Sequence, residues 1–252
     1  MSNLVVVFDL DKTIGYFTQL GVLMEAIERN INRELKQQEI YILFDLFPDC
    51  FRKGIMKTFQ YLIKKKKSHK IKVIIYTNNI GPKTWVHTIK KYIENKFKYP
   101  LFNRTIAAWK VGPLVYEKLR TSHNKKYDDL LKCAKLKKTD KIIFFDDYIH
   151  YYLKHPNVTY INNKPYEKDY IFEKMVNKLL KSSLKTLFNK NSKRDLLAEI
   201  KKFDYKVKKY SNKCSENNFL NEIKSFLKKN KQNYTRKNNL VKKTRNKTRT
   251  NS

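Results

Sequence analysis

Leu4-Val5-Val6-Val7-Phe8-Asp9-Leu10-Asp11-Lys12-Thr13 places five consecutive apolar residues directly before two acids spaced two apart. An unbroken apolar run of this length fits a strand covered on both faces, as the inner strands of a parallel sheet are. The pattern recurs at Ile71-Lys72-Val73-Ile74-Ile75-Tyr76 before Thr77, and at Ile142-Ile143-Phe144-Phe145 before Asp146. Weaker strand candidates are Thr105-Ile106-Ala107-Ala108 and Val158-Thr159-Tyr160-Ile161. Between these runs, residues 18–36, 51–66, 83–96 and 125–135 carry apolar positions at helical spacing. Strand alternating with helix implies right-handed crossovers, and hence an α/β fold built on a doubly wound, Rossmann-like parallel sheet. Ligands of such sheets bind beyond the carboxyl ends of the strands, where the polar ends of the three strongest runs would meet.

Those ends carry a specific chemistry. Side chains two apart near a strand end face the same side, so Asp9 and Asp11 are expected to point into one crevice, joined by Asp146 and Asp147. Carboxylates gathered in one pocket repel one another unless a cation lies among them, and an oxygen-only ligand set suits Mg²⁺. Asp9, Asp11, Asp146 and Asp147 are thus candidate magnesium ligands. With a phosphate in the pocket, one aspartate can attack phosphorus while a second protonates the leaving oxygen and later activates water. Thr77 and Asn78 supply hydroxyl, amide and backbone donors for the phosphoryl charge, and a lysine ahead of the fourth polar strand end would complete the cradle.

Four stations in this order, FDLDKT at 8–13, YTNN at 76–79, HNKKYDDLL at 123–131 and FFDD at 144–147, resemble those of the haloacid dehalogenase (HAD) superfamily of phosphohydrolases. The resemblance spans residues 4–165. It implies that Asp9 is the nucleophile that forms an aspartyl-phosphate and Asp11 the general acid/base. It also implies that Thr77 binds phosphate, that Asp146 with Asp147 binds metal, and that Lys125 or alternatively Lys126 is the station lysine. Within the superfamily, DLDxT and the spacing from RKGIMKTFQYL to VIIYTNN look most similar to the group related to RNA polymerase II C-terminal-domain phosphatases and NLI-interacting-factor-like proteins. That group implies a phosphoserine or phosphothreonine substrate in an exposed protein segment. This chain departs from it at Lys12, where a glutamate is usual, at Asn78-Asn79, where small residues are usual, and at Asp146-Asp147-Tyr148-Ile149 in place of Asp-Asn-Ser-Pro. The segment between Thr13 and Tyr76 reads as crossover helices, which leaves no room for a large cap. The alternatives are a phosphatase of nucleic-acid 3′ ends and a non-catalytic nucleic-acid-binding protein on the same scaffold.

At 252 residues the chain can bury a sizeable core, which excludes a disulfide-stapled miniprotein. Three scattered cysteines, Cys50, Cys133 and Cys214, form neither a disulfide framework nor a zinc motif and suit a reducing compartment. The chain has neither an apolar run long enough to span a membrane nor a signal-like N-terminus, so a soluble protein of the cytoplasm or nucleus is expected. The formal charge is +33, with 24 Lys/Arg against 5 Asp/Glu from Lys174 onward. Such a field favours nucleic acid or another polyanion as a partner, although a composition rich in Lys, Asn, Ile and Tyr and poor in Gly also follows from A+T-rich coding. Three regions are expected: a HAD-like domain over 1–167, a Lys-rich helical extension over 168–230 with helices at 168–188 and 193–230, and a disordered basic tail over 231–252. The oligomeric state is left open.

Overall fold

The apolar run Leu4–Phe8 forms β1, the central strand of a five-stranded parallel sheet. In chain order there follow α1 (Thr18–Ile31), α2 (Gln37–Leu46), α3 (Ile55–Ser68), β2 (Ile71–Tyr76), α4 (Trp85–Phe97) and β3 (Arg104–Ile106). A two-stranded antiparallel hairpin, β4 (Lys110–Val111) and β5 (Leu114–Val115), precedes α5 (Tyr127–Cys133), β6 (Lys141–Asp146), β7 (Val158–Asn162), α6 (Phe172–Leu179) and α7 (Ser192–Lys201). A last helix, α8, covers 219–230. This computed structural model describes residues 3–68, 71–79, 81, 85–189, 191–207 and 218–230. Among the described residues, no helix is long and apolar enough to cross a membrane.

The main sheet runs β3-β2-β1-β6-β7. From β1 the chain moves outward through β2 to β3, then returns to build β6 and β7 on the opposite side, so the winding reverses between β1 and β6. Phe8 stands opposite Ile75 on one side and Phe145 on the other, which brings Asp9 and Asp146 out of neighbouring strands at the same level. The Asp9 N–H donates to the Phe145 carbonyl at 2.9 Å and extends that pairing by one residue.

Both faces are covered, as a doubly wound fold requires. Val5, Val7, Ile74, Tyr76, Ile142 and Phe144 face α5, whereas Val6, Phe8, Val73, Ile75, Ile143 and Phe145 face the other helices. The period-two alternation of the strand explains this division, since every residue of β1 but Leu4 is fully buried on one face or the other.

The helical boundaries differ from the expected ones for local reasons. The helix expected over 18–36 ends at Ile31 because Asn32 adopts a left-handed conformation, φ 54°, and its N–H caps the Glu28 carbonyl. A second helix, α2, starts after a capping arrangement in which Glu39 Oε2 accepts the Lys36 N–H at 2.7 Å. Its Phe44 ring packs among Phe17, Phe51, Trp85 and Tyr92. Likewise, the long helix expected over 193–230 is interrupted: α7 stops at Lys201 and Asp204 takes φ 45°.

The described residues of the 168–230 segment pack into the same core as the sheet. Met175, Val176, Leu179, Leu196, Ile200 and Ile223 belong to the cluster around Phe8 and Phe145. Phe219 at the start of α8 lies 4.6 Å from the Phe145 ring and 6.1 Å from the Phe8 ring, centroid to centroid, directly behind the two residues that precede the strand-end acids. The basic tail expected to be disordered, 231–252, lies outside the described residues. Phe219→Ala is expected to lower stability by about 3–5 kcal/mol through the cavity it leaves. A urea midpoint shift at unchanged m-value, in the full chain, measures it.

Candidate active site at the switch point

Asp9 and Asp146 are carried to the carboxyl edge of the sheet by β1 and β6, and Lys125 reaches them from the N-terminal side of α5. Its Nζ donates to Asp9 Oδ1 at 2.5 Å and to Asp146 Oδ2 at 2.7 Å. All three side chains are almost wholly enclosed. Lys126, the alternative station lysine, instead donates to Thr121 Oγ1 at 3.0 Å and stands over the Tyr152 ring. Of the two lysines, only Lys125 meets the acids.

Enclosure sets the electrostatics. Burial, reinforced by Asp146 and Asp11, pushes the Asp9 carboxyl up to about 7 against the pull of Lys125. Burial also opposes ionisation of Asp146, but Lys125, His150 and the Tyr148 N–H outweigh it and hold that carboxyl below its ordinary range. His150 Nε2 lies 3.4 Å from Asp146 Oδ2, and the Tyr148 N–H donates to Asp146 Oδ1 at 2.9 Å. For Lys125, burial works against the charge, yet Asp9 and Asp146 more than offset it and raise its proton affinity. Asp147 is raised by burial and by Asp146.

Asp9, Asp146 and Asp147 each present a carboxylate oxygen within 4.8 Å of the others. This oxygen-only set fits a hard divalent cation such as Mg²⁺. Asp11, expected among the ligands, is not part of that cluster. Its Oδ2 accepts a hydrogen bond from Asn79 Nδ2 at 2.7 Å, and burial raises its proton affinity despite that bond. The loop that carries Asp11 closes tightly: Lys12 takes φ 57°, its N–H donates to the Gly15 carbonyl at 2.6 Å, and a Cβ at Gly15 would lie 2.3 Å from the Cys50 oxygen.

Thr77 follows β2 and is buried, its N–H bonded to the Ile106 carbonyl and its Oγ1 accepting from the Asn79 N–H at 3.0 Å. Asn78 lines the same cleft, with its Oδ1 accepting from Arg120 Nη2 at 2.7 Å. The cleft has a volume of about 680 Å³ and is bordered also by Asp9, Asp11, Lys125, Asp146 and Asp147. It thus brings together Asp9, Asp11, Thr77, Asn78, Lys125, Asp146 and Asp147, whereas Lys126 does not line it.

Four residues that hold the site together escaped the sequence reading. Asn79 stands in the sequence only as the last residue of the YTNN station, and His150 belongs to none of the four stations. Arg120 is buried and donates to the carbonyls of Thr77, Ala107 and His123 as well as to Asn78, tying the loops after β2 and β3 to the approach to α5. Arg52, also buried, donates to the carbonyls of Lys12, Thr13 and Lys164 and pins the loop after β1 to the one after β7. The available signal was residue choice: in a chain of 47 Lys and only nine Arg, each arginine is a candidate for a place where a planar, multiply donating cation is needed, although Arg29, Arg33 and Arg104 meet that need with carboxylates.

No family model matches the chain, and no curated protein matches it. Among solved structures it is similar to the HAD domain of effector protein Lem4 from Legionella pneumophila, at 14% identity and a TM-score of 0.40, over 71% of this chain and 94% of that one. An inactive mutant of the same domain is similar at 12% identity and a TM-score of 0.39, over 81% and 99% of the two chains.

Two outcomes are expected of the acid cluster. Because a cation needs ionised ligands and the Asp9 carboxyl is held near about 7, Mg²⁺ or Mn²⁺ affinity should rise as pH climbs from 6 to 8, with proton release seen by calorimetry in buffers of different ionisation enthalpy. Lys125→Met removes the cation from two buried carboxylates. It should destabilise the metal-free protein by about 3–5 kcal/mol at neutral pH, and by less at pH 5, where Asp9 is protonated.

Proposed function

We propose that this protein is a Mg²⁺-dependent phosphomonoester hydrolase in which Asp9 takes the phosphoryl group and water then removes it. The observation that carries this reading is the buried Lys125 ammonium shared between Asp9 and Asp146, with Asp147, Asp11 and Thr77 around one cleft. An Asp9 carboxylate oxygen attacks phosphorus as the ester oxygen departs, and Asp11 gives that oxygen its proton. Asp11, now ionised, takes a proton from water, and the water oxygen attacks the aspartyl-phosphate, releasing phosphate and regenerating Asp9. Asp11 suits the first role because burial raises its proton affinity, and Asn79 suits the second by stabilising the carboxylate that remains. Lys125 favours the ionised, nucleophilic form of Asp9 and adds positive charge where the phosphoryl oxygens gather negative charge. Thr77 and Asn78 contribute further donors. Held by Asp9, Asp146 and Asp147, magnesium would neutralise phosphoryl charge that Lys125 alone cannot.

Access supports a macromolecular substrate. The residues between β1 and β2 fold into α1, α2 and α3, whose buried side chains Leu23, Ile27, Phe44, Phe59 and Leu62 pack against one sheet face, and among the described residues between Thr13 and β2 only Tyr16 and Thr18 line the cleft. Phosphoserine or phosphothreonine in an exposed protein segment is the substrate class the sequence resemblance favours. A phosphorylated nucleic-acid end is the second reading, favoured by the exposed tyrosines and lysines along one rim.

On p-nitrophenyl phosphate, Asp9→Asn should reduce turnover to background, Asp11→Asn should lower kcat by roughly 10²–10⁴-fold, and chelation of divalent ions should abolish turnover reversibly. Release of phosphate at wild-type rate by Asp9→Asn would refute the assignment.

A further inference from the structure

The rim beside the acid cluster is unlike the rest of the surface. Among the described residues, the aromatic side chains that stand mostly in solvent are Tyr148, Tyr151 and Tyr152, at 69%, 68% and 62% exposure. All three follow Asp146-Asp147 within a few residues. Their backbone is pinned: the Tyr148 N–H is bonded to Asp146 Oδ1, the Tyr160 hydroxyl donates to the Tyr148 carbonyl at 2.6 Å, and Tyr151–Leu153 form a 3-10 turn anchored by the fully buried Leu153. Cations are interleaved with the rings. Lys126, next to the buried Lys125, lies 5.9 Å from the Tyr152 ring, and Lys154 lies 4.8 Å from the Tyr151 ring. Lys12 borders the cleft, where Tyr148 also forms part of the wall.

Rigid, exposed ring faces alternating with ammonium groups suit a ligand that is itself a series of flat rings linked by anions. The geometry points to a binding platform for single-stranded nucleic acid on Tyr148, Tyr151 and Tyr152. Unpaired bases stack on the tyrosines, Lys126 and Lys154 meet the backbone phosphates, and a terminal phosphate enters the cleft toward Asp9. Stacking of this kind tolerates any base, because every base has a π-face, and the lysines make it salt-dependent. An apolar peptide would gain little from the Tyr151 and Tyr152 rings, each already shared with a lysine. The inference rests on the phosphatase reading only for the chemistry at Asp9, since the platform would bind a strand whether or not the cleft turns it over.

The test separates the two. The full chain, Tyr151→Leu/Tyr152→Leu and Tyr151→Phe/Tyr152→Phe are assayed on 3′- and 5′-phosphorylated oligothymidylates, a phosphoserine peptide and p-nitrophenyl phosphate. The leucine pair keeps apolar bulk but loses the rings, so kcat/KM on the oligonucleotide, relative to that on p-nitrophenyl phosphate, should fall roughly tenfold or more. The phenylalanine pair should restore it, and the corresponding ratio for the peptide should stay unchanged. An oligonucleotide ratio that does not fall, or a peptide ratio that falls equally, overturns the platform. In parallel, fluorescence anisotropy of labelled, unphosphorylated oligothymidylate is measured on Asp9→Asn with and without the leucine pair. Loss of affinity by roughly tenfold supports the platform even if no phosphate ester is turned over, and unchanged affinity rejects it.

Discussion

The ammonium of Lys125 compensates two carboxylates that a parallel sheet forces together. Because β1 and β6 are neighbours in register, the residues after Phe8 and at the end of β6 emerge side by side, and both are acids. Without a cation between them, this edge of the sheet would carry two enclosed like charges, which folding cannot tolerate without protonating one. Lys125 satisfies Asp9 and Asp146 at once, and in doing so connects the start of α5 to the two strands it packs beside. The division of proton affinities across the cleft follows from the balance at each acid: burial outweighs the pull of Lys125 at Asp9 and that of Asn79 and Lys125 at Asp11, whereas Lys125, His150 and the Tyr148 N–H outweigh burial at Asp146.

Around this centre the molecule relies on two arginines and one aromatic layer. Arg52 and Arg120 each donate to several backbone carbonyls, collecting turns from separate parts of the chain. A lysine offers a single point charge and could not reach three carbonyls in a plane. On the face opposite α5, Phe8, Phe145 and Phe219 form a contiguous aromatic layer immediately beneath the strand ends, with the Arg52 guanidinium 5.4 Å from the Phe219 ring centroid. Loop position and core packing are thus mechanically linked through one side chain.

The strands were legible in the sequence because burial on both faces leaves an unbroken apolar run, and the acids were legible because they end those runs. Lys125 was narrowed to one of two adjacent lysines, since sequence spacing does not reveal which side chain turns inward. Harder to read was α2: its segment Ile40-Tyr41-Ile42-Leu43-Phe44 is as apolar and β-branched as a strand, and only the Lys36–Glu39 cap distinguishes it. The C-terminal helices blurred for the opposite reason. Their lysines supply continuous helix-forming composition, while the interruptions at Ser182 and Asp204 depend on side-chain capping and a left-handed turn that periodicity does not report. Arg52 and Arg120 left no motif, because each donates to several backbone carbonyls, which every residue has.

Phe219 has a consequence for the order of events during synthesis. All five strands of the sheet are available once Asn162 has left the ribosome, yet the layer behind Phe8 and Phe145 stays incomplete until a segment more than fifty residues further on has emerged. At translation rates of roughly 5–20 residues per second, the nascent chain spends several seconds with a paired sheet whose α1–α3 face is still only partly covered. During that interval the emerging polypeptide is exposed to chaperone capture and proteolysis, and the last stretch of described chain closes it.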